Sequence, residues 1–212
     1  MKNHCLLLVA ILPSILSFAQ QTAFYTDPEA KFKEAKEYFQ KEQYSLAYPL
    51  FKELKQDVRE TNRANIPVTV QEINYYHTVC ALKQNEGRAE VEAQQYIEVE
   101  KNNARVQMMN FHLAEYYFRQ EKFSDAALLY ESANIANLSN REIADMKFHQ
   151  GYAYFTMQRF DQAKPLFNSI RSIRDDPNYM DANYYYGFLA FRDKQYSEAL
   201  QDVWELIGAA NK

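Results

Sequence analysis

Four stretches of the chain align column by column without a gap: AKEYFQKEQYSLAYPLFKEL from Ala35, AEYYFRQEKFSDAALLYESA from Ala114, GYAYFTMQRFDQAKPLFNSI from Gly151 and GFLAFRDKQYSEALQDVWEL from Gly187. Each opens on a small residue. Four places later stand Phe39, Phe118, Phe155 and Phe191, followed by an aromatic column of Tyr44, Phe123, Phe160 and Tyr196. An alanine column (Ala47, Ala126, Ala163, Ala199) and a bulky column (Phe51, Tyr130, Phe167, Val203) complete the pattern. The copies begin 79, 37 and 36 residues apart, so a worn copy is expected between the first two. The stretch from Ile73 to Val99 supplies it, with Tyr76, Cys80, Ala89 and Tyr96 near the expected places and its register left open. A unit this short cannot bury its apolar face alone; it must stack on its neighbours.

Within each unit the apolar spacing is helical: Phe32, Ala35 and Phe39, or Phe111, Ala114 and Phe118, fall on one helix face. Ser45, Ser124, Asp161 and Ser197 share a column after the turn aromatic and are expected N-caps of the second helix. Pro49 and Pro165 share a column four residues on, near the first turn, where a missing backbone donor costs least. Short linkers are expected at residues 61–67, 137–141 and 174–178. Only 4 glycines are present, too few for sheets rich in tight hairpins or for phosphate-cradling loops, whereas 17 Tyr and 14 Phe favour helices packed through rings.

With these columns in place, the sequence resembles the tetratricopeptide repeat family, an exported bacterial-type member of it, over roughly Pro28 to the C-terminus. The resemblance implies an all-α, right-handed superhelical solenoid of helix-turn-helix units. The units are placed at residues 28–61, 68–103 (degenerate), 107–140, 144–177 and 180–212. After Trp204, Leu206 and Ile207 only GAANK follows, so the array is expected to be a piece of a longer one or to have its last face covered by another chain.

Residues 1–19 read as a cleaved secretory signal. Lys2 precedes an apolar stretch from Cys5 to Phe18 that is too short, and too interrupted by Pro13, for a stable membrane span. Cys5 opens that stretch rather than closing it, which argues against a lipid anchor. The expected location is therefore periplasmic or secreted. Cys80 is then the one remaining thiol and is expected as a small buried residue. A net charge of −4 argues against a nucleic-acid partner.

No catalytic motif of the HExxH, GxSxG or phosphate-loop kind is present, and no paired cysteine motif. His112 and His149 occupy equivalent columns, which favours a structural role. His77 and Cys80 lie one turn apart, but two ligands do not make a zinc site. Asn137-Leu138-Ser139 matches a glycosylation triplet and carries no weight. No enzyme activity, cofactor or metal is expected.

What remains is a surface for a protein or peptide. By resemblance, the first helix of each unit lines a concave groove through Phe32, Phe111, Phe148 and Tyr184 in one column. Phe39, Phe118, Phe155 and Phe191 form another, with Lys36, Glu115, Tyr152 and Phe188 between them. Glu29, Asp145 and Asp181 would form an acidic edge. The helical-face argument gives the Phe32 column the more exposed position and leaves the Phe39 column open between core and groove. The expected function is a non-enzymatic interaction scaffold. The alternative is a bracing region of a larger envelope protein, such as an uptake lipoprotein or an enzyme. Self-association through the uncapped last unit is a further option.

Overall fold

The computed structural model describes residues 27–61 and 70–210, which hold ten α-helices and no strand. The helices form five antiparallel pairs. The first comprises α1 (Pro28–Gln40) and α2 (Tyr44–Thr61), the second α3 (Val70–Lys83) and α4 (Ala89–Val99), and the third α5 (Asn103–Arg119) and α6 (Phe123–Ser132). After a 3-10 turn at Ile135–Asn137 come α7 (Asn140–Thr156) and α8 (Phe160–Ile170), then α9 (Tyr179–Arg192) and α10 (Tyr196–Ala210). Each helix packs on its partner and on the next pair, so the core runs along the array rather than gathering in one centre. The linker expected at residues 61–67 and the leader at 1–19 lie outside the described residues, apart from Thr61, which ends α2.

One backbone device recurs in every pair. Glu42, Asn85, Glu121, Gln158 and Lys194 all have φ between 57 and 62° and occupy the same repeat position. Around Glu121, the Lys122 amide donates to the Tyr117 carbonyl (2.9 Å) and the Glu121 amide to that of Phe118 (3.0 Å). This is the six-to-one and five-to-two pairing of a Schellman end, made here with non-glycine residues in the left-handed conformation. The same two bonds recur at Gln43, Glu86, Arg159 and Gln195 with their preceding residues. The shortage of glycine therefore does not spare the chain positive-φ turns; it makes each of them cost about 1 kcal/mol.

This device corrects the expected caps. The second helices begin at Tyr44, Phe123, Phe160 and Tyr196, so Ser45, Ser124, Asp161 and Ser197 are second helical residues, not N-caps. In the cap position stand Lys122 and Arg159, which make no side-chain cap bond. One residue closes the first helix and opens the second: the Lys122 amide reaches back to Tyr117 while its carbonyl accepts from the Ala126 amide at 3.0 Å. Side-chain caps appear instead at the first helices of three pairs. Asp27 caps α1, Asn102 caps α5, and Ser139 and Glu142 form a reciprocal capping box at α7. Pro49 and Pro165 each stand sixth in their helix, two residues deeper than expected. Both are exposed, so water can satisfy the carbonyl each leaves unpaired.

The second pair settles its register through the same turn. Counting back seven from left-handed Asn85, as Ala35 stands seven before Glu42, puts Thr78 in the small-residue column and Leu82 in the Phe39 column. Buried Ala89, Ala93 and Tyr96 then match Ala47, Phe51 and Leu54, with the turn one residue shorter and Gly87 where the other units carry an aromatic. Small residues act by close approach. A methyl group on Gly151 would meet Phe167 Cε1 at 3.1 Å and Leu166 Cβ at 3.2 Å.

Candidate interaction surface

The expected groove columns meet two different fates. Phe32, Phe111 and Phe148 are buried, which overturns the expected exposure of that column; only Tyr184 in it is open, at 58%. The second helix of the same pair and the first helix of the next one cover these rings together. Phe32 packs edge-on to Phe51 and Tyr76, both at 5.9 Å, and Phe148 packs on Phe167 at 5.8 Å and Tyr185 at 6.3 Å. Phe39, Phe118 and Phe155 are half-buried members of the core, whereas Phe191 is 64% exposed.

The intervening column behaves likewise. Lys36 lies over the Tyr76 ring at 5.5 Å and pairs with Glu72 at 3.6 Å. Glu115 is buried and accepts from Tyr130 Oη at 2.6 Å and from His149 Nδ1 at 2.9 Å. Burial alone would push its carboxyl up, but the His149 and Tyr130 hydrogen bonds win and hold it below the usual carboxylate range. Tyr152 is half-buried, edge-on to Phe118, Phe123 and Tyr185. Phe188 is 49% exposed. Of the acidic edge, Asp145 accepts from Asn178 Nδ2 at 2.8 Å, while Glu29 and Asp181 are exposed.

A column the groove argument passed over does the joining. Tyr76, His112, His149 and Tyr185 each stand two residues before the small residue, and each enters the hollow of the preceding pair. Tyr76 lies 4.8 Å from Phe39 and 5.3 Å from Phe51; Tyr185 lies 5.0 Å from Phe155 and 5.2 Å from Phe167. His149 stacks on Phe118 at 4.1 Å. His112 Nε2 shares a hydrogen bond with Tyr75 Oη at 3.1 Å, and its Nδ1 is buried without a partner among the described residues. Burial pushes the His112 pKa down to about 3. The shared column of His112 and His149 was the sequence signal that could have revealed this set.

The same logic leaves the last pair open. Its hollow is lined by Tyr184, Phe188, Phe191, Tyr196, Leu200 and Val203, encloses ≈ 480 Å³, and receives no ring among the described residues. Trp204 beside it is 70% exposed. Elsewhere, His77 stacks on Tyr48 at 5.0 Å and lies 3.2 Å from Glu92, which also accepts from Lys55 Nζ at 2.9 Å. Those bonds, the His77 one foremost, hold Glu92 down at about 2. Cys80 is a buried free thiol that burial pushes up to about 12, as expected for a packing residue.

Five helix pairs joined by residues of one repeat column decide the architecture. The fold is that of a tetratricopeptide-repeat solenoid. Solved structures agree. The solenoid is similar to MamA of AMB-1 (TM-score 0.63, 16% identity, 86% of this chain and 98% of that one). It is similar to MamA of MSR-1 (TM-score 0.62, 17% identity, covering 87% and 97%). The nearly identical TPR-like repeats of a kinesin light chain-like protein from Podosopora anserina give a TM-score of 0.59 at 15% identity, covering 87% and 96%. No protein-family model matches the chain, and no curated protein matches it.

Proposed function

We propose that the protein is a non-enzymatic interaction scaffold of the extracytoplasmic compartment, which holds a protein partner on the open face of its last helix pair. The observation that carries this reading is the contiguous exposed apolar surface of Tyr184, Phe188, Phe191, Leu200 and Trp204. Scattered exposed apolar residues are ordinary, but a continuous aromatic patch on a helical stack marks a contact surface. Export rests on the leader-like residues 1–19, and no helix among the described residues is long and apolar enough to cross a membrane.

The test is a photo-cross-linker placed at Phe191 in the native cell envelope. Capture of a defined partner should fall by about 30-fold with Tyr184→Glu plus Phe188→Glu, the scale of losing an aromatic anchor worth ~2 kcal/mol. Circular dichroism should be unchanged. Undiminished capture would remove the C-terminal patch from the reading. Phe111→Ala and Phe148→Ala are unsuitable probes, since both rings are core.

A further inference from the structure

The four internal junctions show what a hollow of this shape accepts. In each, the first helix of the next pair lies across the preceding pair and presents residues at i, i+3, i+4 and i+7. In α3 these are Ile73, Tyr76, His77 and Cys80; in α9 they are Ala182, Tyr185, Tyr186 and Leu189. The i+3 residue is a ring at every junction and fills the hollow, while the i position, down to Met109 and Met146 in α5 and α7, is buried. The open hollow of α9 and α10 continues this series. Tyr184, Phe191, Tyr196 and Val203 stand where Phe148, Phe155, Phe160 and Phe167 form the hollow that receives Tyr185. With Val203 in place of Phe167 the space is roomier than the one Tyr185 fills.

The opposite end of the array is built differently. The corresponding face of α1 reads Ala30, Lys33, Glu34 and Glu37, all exposed. Lys33 stands in the ring column, so α1 of a second copy would carry three charges into an apolar hollow, which desolvation forbids. The outer face of α1 is thus unsuited to stacking on such a hollow, whereas the described face of α9 and α10 is apolar and shaped to accept a helix.

We infer that the open face of α9 and α10 docks an amphipathic α-helix of a partner protein, with apolar residues at i, i+3, i+4 and i+7 and an aromatic or imidazole ring at i+3. This rests on the reading that the C-terminal patch is the contact surface and specifies what that surface recognises: a helix laid across it as a sixth unit would lie, not an extended segment threaded along the groove. Trp204, the single tryptophan, reports on it. Its repeat equivalents Gln94 and Glu131 hydrogen-bond Tyr117 and Tyr154 of the next helix, so a docked helix would cover the indole.

The experiment titrates the full chain with a hydrocarbon-stapled peptide of residues 179–192, the α9 sequence, and follows Trp204 emission. A saturable blue shift in the micromolar range is expected, weakened at least tenfold by Tyr185→Lys in the peptide and, separately, by Leu200→Glu or Val203→Glu in the protein. Leu200 and Val203 are about half exposed, so both variants should keep their helicity. Absence of the shift, or equal binding of the Tyr185→Lys peptide, overturns the inference. So does a two-fold dimer of the chain alone in sedimentation that Leu200→Glu dissolves, because a second copy would then be the occupant. A native product carrying a further repeat after Lys212 has the same effect. A cross-linker at Val203 separates the two levels. A captured partner that the stapled peptide fails to displace leaves the scaffold reading standing and removes the helix; no captured partner removes the scaffold reading itself.

Discussion

The outer junctions and the middle ones use the same slot for opposite chemistry. Between the first and second pairs, and between the fourth and fifth, the slot holds Tyr76 and Tyr185, each caged by rings at 4.8 to 6.3 Å. Between the second, third and fourth pairs it holds His112 and His149, which bond to Tyr75 and Glu115. A caged tyrosine contributes through area and ring geometry. An imidazole fills less of the slot and brings polar atoms that must be satisfied, so the slots of the middle junctions carry polar demands that the tyrosine slots do not.

The largest expected effect breaks an outer junction. Tyr185→Ala empties a slot bounded by four rings and should cost about 3 kcal/mol. It should be read by denaturant unfolding, with loss of amide-exchange protection concentrated in α9 and α10. A loss below about 1 kcal/mol would show that the cage is not what joins the pairs.

Next comes pH. His112 has a folded pKa near 3 against an ordinary value of 6.5, so the unfolded chain takes up a proton that the folded one refuses. Stability is therefore full above pH 6.5 and falls as the pH drops from there towards 3, by on the order of 2–4 kcal/mol. His112→Phe should flatten that slope and leave the Tyr76 and Tyr185 junctions unaffected. A slope surviving the substitution above the ordinary carboxylate range, where Glu92 and Glu115 do not yet take up protons, would place that pH dependence elsewhere.

Glu115→Gln sharpens the contrast within the middle. It keeps the shape and the Tyr130 contact but removes the charge facing His149, and should cost about 1–2 kcal/mol near neutral pH by thermal unfolding. Because the Glu115 carboxyl is held low, its contribution is present above the ordinary carboxylate pKa and disappears as the pH falls through the depressed one. The variant and the parent should therefore converge in acid. Divergence there would separate Glu115 from the titration.

The smallest effect tests whether the junctions differ in anything but their slots. Glu121→Gly and Lys194→Gly each relieve a left-handed residue, one in a middle pair and one in an outer pair, and should each stabilise by about 0.5–1 kcal/mol. Equal gains would confine the difference to the slot residues. Unequal gains would implicate the turns as well.

Much of the fold was legible in the residues. The spacing of Ala35, Phe39, Ala47 and Phe51 repeats so closely that helix pairing and stacking followed from it. Helix starts were misread by two residues because Ser45 and Ser124 look like caps. The backbone instead uses the Schellman residue before each aromatic, a choice made by the turn geometry and not by a side chain. The register of the worn second unit stayed open in the sequence because one residue is missing between Asn85 and Ala89 relative to the other turns. The candidate surface was less legible, for a reason visible in one column. Phe32, Phe111, Phe148 and Tyr184 are equivalent in sequence, yet three are buried and one is open.

By itself, the sequence determined an all-helical stack of similar pairs, because helical spacing, small residues at the crossing and aromatics at the turn are local properties that survive in every copy. Tertiary structure decided which rings are cement and which are surface. A ring at a junction is buried only if the next pair brings Tyr76, His112, His149 or Tyr185 against it, and burial of that kind belongs to the neighbour, not to the residue.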